Sequence, residues 1–522
     1  MTLPTPRPVS IASTLAFFVI GACAVAHAAE PVRFTVTVKD TASQVAEVKA
    51  LVPTQGRSTI QLMMPAWSPG FYRVEDYAAK VRDLKVRGED GEPLEIFRTK
   101  PNEWTVEAGA RPRFVLTYGL LCDRRSVTTN EIAPNYAVLN PAATFVIPRG
   151  VVQARTSPIE VSLDLPSDWT AMTALPRPDR ADRRRFRAPS YETLVDSPIL
   201  AGRLSIHEFG VSGSEHLLVD AGDLGTWDGE RGAGDLAKIA AETRRFWGAL
   251  PFKRYLFLNV FRQGGGGLEH KDSTLLTSSA ARMATPQAYL GWLSFVAHEY
   301  FHAFNVKRLR PVELGPFDFD QAPVTKSLWI SEGLTTYFAD LMVHRSGLST
   351  RAEYLDGLSS QIEALQKQPG RLLQSVEQSS VEVWNNSNSG VGNADSTVSY
   401  YVKGDVMGFV LDARIRKATG DRKSIDDLLR LAYRRYSGHR GFTPQQFQDA
   451  ASKVAGQDLS EWFRHAAQSA EELDYREALD WFGLRFEGGS EASRRWKLIV
   501  RDDATADQQA RLNRWLSGHP GV

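Results

Sequence analysis

Apolar and polar residues alternate early in the chain. Phe34-Thr-Val-Thr-Val38 trades them at each position, and Ala46-Glu-Val-Lys-Ala-Leu-Val52 and Thr59-Ile-Gln-Leu-Met63 keep the same two-residue period. A half-buried strand requires that period, because successive side chains leave a strand on opposite faces. Pro65, Pro69-Gly70, Asp90-Gly91 and Pro112 punctuate the runs as turns. Short strands between turns predict a β-sandwich-like domain over residues 29–215. Beyond it the pattern changes. Residues 235–250 read as a helix, and Arg254–Phe261 reads as a buried strand leading into Gly264-Gly-Gly-Gly267-Leu-Glu269-His270. From Thr285 onward helices dominate, one running to about Lys307 and a second over 326–346 that stops at Gly347. Further helices fit 351–367, 403–419, 424–436, 444–454 and 459–467. The expected fold is α+β and multidomain: a β domain, a mainly helical domain over 216–470, and a short C-terminal segment over 471–522.

Residues 1–28 read as a signal peptide. Arg7 precedes an apolar run from Ile11 to Val25 that is too short for a membrane span, and Ala26-His27-Ala28 gives a small-x-small cleavage site before Ala29. Ile20-Gly21-Ala22-Cys23 competes as a lipobox, with Cys23 lipidated and the chain anchored to a membrane. Either route implies export, to the periplasm or beyond it. Lys+Arg number 62 and Asp+Glu 61, and removal of Arg7 with the leader leaves 61 of each. That balance gives no electrostatic case for nucleic acid, and membrane attachment is expected only through a lipidated Cys23. Cys122, in the apolar stretch Phe114–Cys122, reads as a small buried residue rather than a nucleophile.

The helix after Thr285 carries the candidate chemistry, His298-Glu299-Tyr300-Phe301-His302. Residues four apart share a helix face, so His298 and His302 can reach one metal ion. Glu299 lies one residue round from that pair, placed to act on a water rather than to ligate. Five such letters also match by chance on surface helices. Here the apolar run Tyr289–Ala297 precedes them and Thr285-Pro286 supplies an N-cap, so the motif falls in a buried helix where two imidazoles and a carboxylate need partners. A catalytic zinc takes three protein ligands. Glu332, on the aromatic and apolar second helix, is the expected third, against the plainer alternative of an exposed helix glutamate. One Zn2+ ion is therefore expected. The glycine run has two readings: a flexible turn, or a strand edge where the backbone of Gly266 and Gly267 approaches a substrate closely. No G-K-[ST] follows, so it is not a phosphate loop.

His298-Glu-Tyr-Phe-His302-Ala-Phe-Asn305-Val-Lys307-Arg308-Leu-Arg310-Pro311 followed by Leu328-Trp329-Ile-Ser-Glu332-Gly333 resembles the glycyl aminopeptidase family of gluzincin metallopeptidases. Pro65-Ala-Trp67-Ser-Pro69-Gly70, Leu194-Val-Asp196-Ser-Pro198, Gly265-Gly-Gly-Leu-Glu269-His270 and Ser399-Tyr400-Tyr401-Val-Lys403-Gly404 resemble the same family. The resemblance implies a thermolysin-like catalytic domain acting on peptides with a free N-terminus, with preference for glycine and alanine. It implies that Glu269 binds the α-amino group and that Tyr401 donates a hydrogen bond to the oxyanion. A PDZ module usual in the family is expected to be missing between Ser490 and Trp496, where Leu484–Ser490 runs almost directly into Trp496–Val500. Two other functions stay open on the sequence: a thermolysin-like endopeptidase using the same zinc site, and a non-catalytic peptide-binding envelope protein. Thr336, one turn after Glu332, is a weaker candidate for holding a ligand in place.

Overall fold

The computed structural model describes residues 1–2, 30–154, 156–179, 181–385, 393–488 and 495–518. The leader and Cys23 lie outside them, as do residues 386–392 and 489–494. The first alternating run forms strand Val32–Thr37, with every second residue buried. It pairs parallel with Ile159–Asp164 and antiparallel with Val45–Pro53, at the centre of a six-stranded sheet. A four-stranded sheet built on Thr59–Met63 and Glu103–Glu107 shares its core, in which Phe34, Val36, Phe114 and Leu116 meet Leu62 and Val106. This is the sandwich-like domain. Cys122 is buried in the same core, where desolvation pushes its thiol up to about 12.

The second half begins with a five-stranded sheet in the order Ser205–Val211, Ser214–Gly222, Arg254–Phe261, Ser273–Ser278, Gly266–Glu269. Strand Ser205–Val211 pairs along its length with Ser214–Gly222, so this half starts near 205 and not at 216. The central strand is buried on both faces. Leu256, Leu258 and Val260 pack with Tyr136, Val138 and Leu200 of the β domain, while Tyr255 and Phe257 pack under the helices. A two-residue period thus locks the sheet between the β domain and the helical layer.

Three helix boundaries differ from the sequence reading, and each difference bears on the site. The helix expected to reach Lys307 spans Pro286–Phe301, capped as expected by Thr285, and ends with His302 at its C-cap. It stops there because Asn305 turns back, its Nδ2 donating to Ile330 O, Ser331 O and Thr335 Oγ1. The second helix opens with a π-helical turn, Trp329–Gly333, before the α-helix Leu334–Arg345. The helix expected from 403 starts at Tyr400, capped by Ser399. The described part of the short C-terminal segment, 471–488 and 495–518, packs into the main core. Phe482, Leu484, Leu498 and Trp515 are buried in it, and the Trp515 indole donates to Tyr337 Oη at 2.8 Å. No described helix is long and apolar enough to cross a membrane.

Candidate active site

The edge strand Gly266–Glu269 pairs with Ser273–Ser278 and presents its two faces differently. Gly266 and Leu268 face the β domain, where a methyl group built on Gly266 would lie 3.7 Å from Val127 Cγ1. Gly267 and Glu269 face the helix that carries the histidines. A methyl group on Gly267 would lie 2.8 Å from Glu299 Cγ, closer than real Cβ contacts, so only glycine leaves room for the Glu299 side chain. The edge strand, the first helix and the second helix bring Glu269, Glu299, His298, His302 and Glu332 into one cleft. Tyr401 lines the same cleft from the first turn of its helix, its ring stacked on His298 at 6.1 Å and on Tyr400 at 4.8 Å. Gly266 and Gly267 form part of the wall.

Within the cleft, His298 Nε2 lies 2.9 Å from His302 Nε2, and Glu332 Oε2 lies 3.5 Å from the first and 3.1 Å from the second. Three ligands that share one zinc at about 2.0–2.2 Å need such mutual distances, and two imidazoles with one carboxylate suit that ion. The far sides of both rings are held. His302 Nδ1 donates to Asn305 O at 2.7 Å. Thr336 Oγ1 donates to Glu332 O and so accepts from His298 Nδ1 at 3.3 Å. Both Nε2 lone pairs are thereby left facing the cleft, the arrangement metal-binding histidines need.

The field in the cleft is strongly negative. Burial lowers the His302 imidazole, yet the charges of Glu332, Glu269 and Glu299 prevail and raise it to about 10, so Nε2 holds a proton that a bound cation would displace before taking the lone pair. Burial raises Glu332, but His302 and His298 draw it down to about 2. Burial raises Glu299 to about 8, with Glu269 and Glu332 adding to the effect. Glu269 is raised as well, first by burial, with His302 and Lys307 opposing. Glu269 Oε1 and Glu299 Oε2 are buried without a hydrogen-bond partner among the described residues. Buried acceptors of that kind call for a cation or a donor from outside the chain. Ligand-capable atoms of Glu269, Glu299 and His302 also lie within 4.8 Å of one another, so the unsatisfied carboxylates border the histidine and Glu332 site directly.

Several further residues shape the site through packing rather than chemistry of their own. Gly333 and Gly404 meet back to back: a methyl group on Gly333 would lie 2.5 Å from Gly404 Cα and 2.7 Å from Tyr400 O. That contact joins the turn bearing Glu332 to the helix bearing Tyr401. Tyr72 is buried close enough for Glu332 and Glu269, after burial itself, to push its phenol well up. Lys307 Nζ bonds Asp196 at 2.8 Å, and Asp196 accepts the Lys271 N–H at 2.7 Å. Burial raises Asp196, but Lys307 and His270 hold it below the usual carboxylate range. These residues line a second, more apolar cavity that shares Gly70 and Glu269 with the cleft and holds none of the three zinc candidates. The stretches containing Gly70 and Asp196 stood out in the sequence, but what they pack against did not.

This fold and this cluster define a zinc metallopeptidase, a hydrolase, and the comparisons agree. The Peptidase M61 N-terminal domain matches residues 33–203 and the M61 glycyl aminopeptidase domain matches residues 291–407, together more than half of the chain. The chain belongs to the M61 glycyl aminopeptidase family. The crystal structure of an aminopeptidase N family protein from Idiomarina loihiensis is similar at a TM-score of 0.82 and 27% identity, covering 88% of this chain and 80% of that one. An M1 zinc metallopeptidase from Deinococcus radiodurans shares the fold at a TM-score of 0.52 and 14% identity, covering 85% of this chain and 94% of that one. No curated protein matches the chain.

Proposed function

We propose that this chain is an exported aminopeptidase that removes small N-terminal residues, glycine and alanine, from peptides, using one zinc ion held by His298, His302 and Glu332. One observation carries the aminopeptidase reading: Glu269, whose buried Oε1 has no hydrogen-bond partner among the described residues, stands beside the metal candidates at the end of an edge strand. A fixed anion there favours an α-ammonium group and so favours cleavage at the first peptide bond. Glycine-lined walls at Gly266 and Gly267 agree with close approach of a peptide backbone. The export reading rests on the leader sequence, and the small-residue preference rests on the family.

When bound, zinc would supply a Lewis acid that polarises the scissile carbonyl and lowers the pKa of a water. The residues of the chain then divide the remaining work. Glu299, its carboxylate ionised once a bound cation offsets the burial that raises it, accepts the proton of the attacking water and passes it to the departing amine. Tyr401 donates its O–H to the carbonyl oxygen as charge develops there, an interaction stronger in the transition state than in the ground state. Glu269 holds the α-ammonium so that the first peptide bond lies over the ligand cluster. Thr336 and Asn305 keep the imidazoles oriented.

A panel of aminoacyl anilides tests this directly. Gly- and Ala-anilides should turn over and Leu- and Phe-anilides should be poor, with all activity lost to a chelator and regained with zinc. Equal turnover across the panel would remove the small-residue preference. Turnover that survives chelation would remove the zinc mechanism.

A further inference from the structure

The cleft carries opposite charge at its two ends. Glu269 closes one end. At the other, the segment Arg125-Ser126-Val127 reaches in from the β domain and lies along the glycine run, with Val127 packed against Gly266. Among the described residues lining the cleft, Arg125 is the one lysine or arginine. Its contact is with Glu131 at 3.5 Å, but that one carboxylate also faces the buried Arg262 at 3.0 Å, an ion pair without hydrogen-bond geometry, and accepts from the Tyr136 hydroxyl at 2.7 Å. The Arg125 guanidinium is therefore surplus charge, 65% exposed at the cleft mouth.

The strand sets the distance between the two ends. Glu269 and Gly266 are three residues apart, and at about 3.3 Å per residue the span is about 10 Å. A peptide laid on the free edge with its amino group at Glu269 runs antiparallel to the strand. Three extended residues, at about 3.3–3.6 Å each, carry its α-carboxylate about 10 Å, to the Arg125 end.

We propose that Arg125 recognises the C-terminal α-carboxylate of short peptides, so that the preferred substrates are tripeptides free at both ends. This rests on the aminopeptidase reading above, because it needs the amino group at Glu269. The guanidinium supplies paired N–H donors that fit a carboxylate, in a solvent-facing position that makes the effect moderate.

The test compares Ala-Ala-Ala with its C-terminal amide and its N-acetyl derivative, and hexa-alanine with its own amide, on wild type, Arg125→Ala and Arg125→Lys. Wild type should prefer the free acid to the amide by about fivefold in kcat/KM, mainly through KM, and the preference should fade at 0.5 M salt. It should fall to about one in Arg125→Ala, persist in part in Arg125→Lys, and be absent when hexa-alanine is compared with its amide. Equal cleavage of Ala-Ala-Ala and its amide by wild type, or an acid preference kept by Arg125→Ala, would overturn the proposal and leave the aminopeptidase reading standing. Ready cleavage of the N-acetyl peptide would overturn that reading itself.

Discussion

The Glu269 carboxylate fills the space that a side chain on Gly70 would need. A methyl group built on Gly70 would lie 2.7 Å from Glu269 Oε2 and 2.8 Å from Glu269 Cδ, and Gly70 holds φ at +98°. Both the left-handed backbone and the missing Cβ are therefore required. The turn Pro69-Gly70 belongs to the β domain and Glu269 to the five-stranded sheet, so one domain fixes the position of a cleft carboxylate carried by the other. Gly70→Ala should displace Glu269 and lower kcat/KM on free peptides by about 100-fold, the scale expected when a binding group moves by about 1 Å. Zinc content, measured by atomic emission, should stay at the wild-type value.

Gly333 and Gly404 are a second enforced contact, here between two backbones. Alanine at either position must push the helices apart. The expected loss of stability is about 1–3 kcal/mol, as for other overpacked cores, read from urea unfolding. Because Glu332 precedes Gly333, zinc affinity should fall with it, which Gly70→Ala should not do. Equal zinc affinity in Gly333→Ala and wild type would separate the helix contact from the metal site.

Much of this arrangement was legible in the sequence, for identifiable reasons. The His298–His302 spacing is a local property of a helix, and the alternation of Phe34–Val38 is a local property of a strand. The Thr285-Pro286 start likewise follows from capping rules that act within one turn. What was not legible depends on distant backbone approaching closely. Nothing near Glu332 announces a π turn, and the close approach of its last residue, Gly333, to Gly404 joins positions 71 residues apart in the chain. The first helix ends at Phe301 and not near Lys307 because Asn305 finds acceptors on the second helix, 25 or more residues away. The Arg125 segment reaches the cleft only through domain packing, which no periodicity records.

Glu299→Gln should retain zinc and fold normally while kcat falls by about 10²–10⁴-fold, the usual contribution of a general base. Tyr401→Phe should lower kcat by about 10²-fold with KM little changed, since its hydrogen bond serves the transition state. A Tyr401→Phe enzyme with wild-type kcat would return that ring to a purely packing role against His298 and Tyr400.

Stability should depend on pH through His216, which accepts the Tyr300 hydroxyl at 2.8 Å beneath the helix that carries His298. Burial lowers its imidazole to about 4, with a bond to Ser214 O partly opposing. A lowered histidine is neutral in the fold and protonates first in the unfolded chain. Its penalty is absent above the unfolded value near 6.5 and grows as pH falls from there to about 4, reaching about 3 kcal/mol. Urea unfolding at pH 7, 6 and 5 should show this slope. His216→Asn, less stable at pH 7, should flatten it by about one proton, and an unchanged slope would assign the dependence to other groups.

The most direct measurement of the central claim is kcat/KM for free Ala-Ala-Ala against N-acetyl-Ala-Ala-Ala, on zinc-loaded wild type and Glu269→Ala. Wild type should cut the free peptide at its first bond and leave the acetylated one essentially intact. Glu269→Ala should lose most activity on the free peptide while keeping its zinc. Efficient cleavage of the acetylated peptide by wild type, or full activity on the free peptide in Glu269→Ala, would contradict the account.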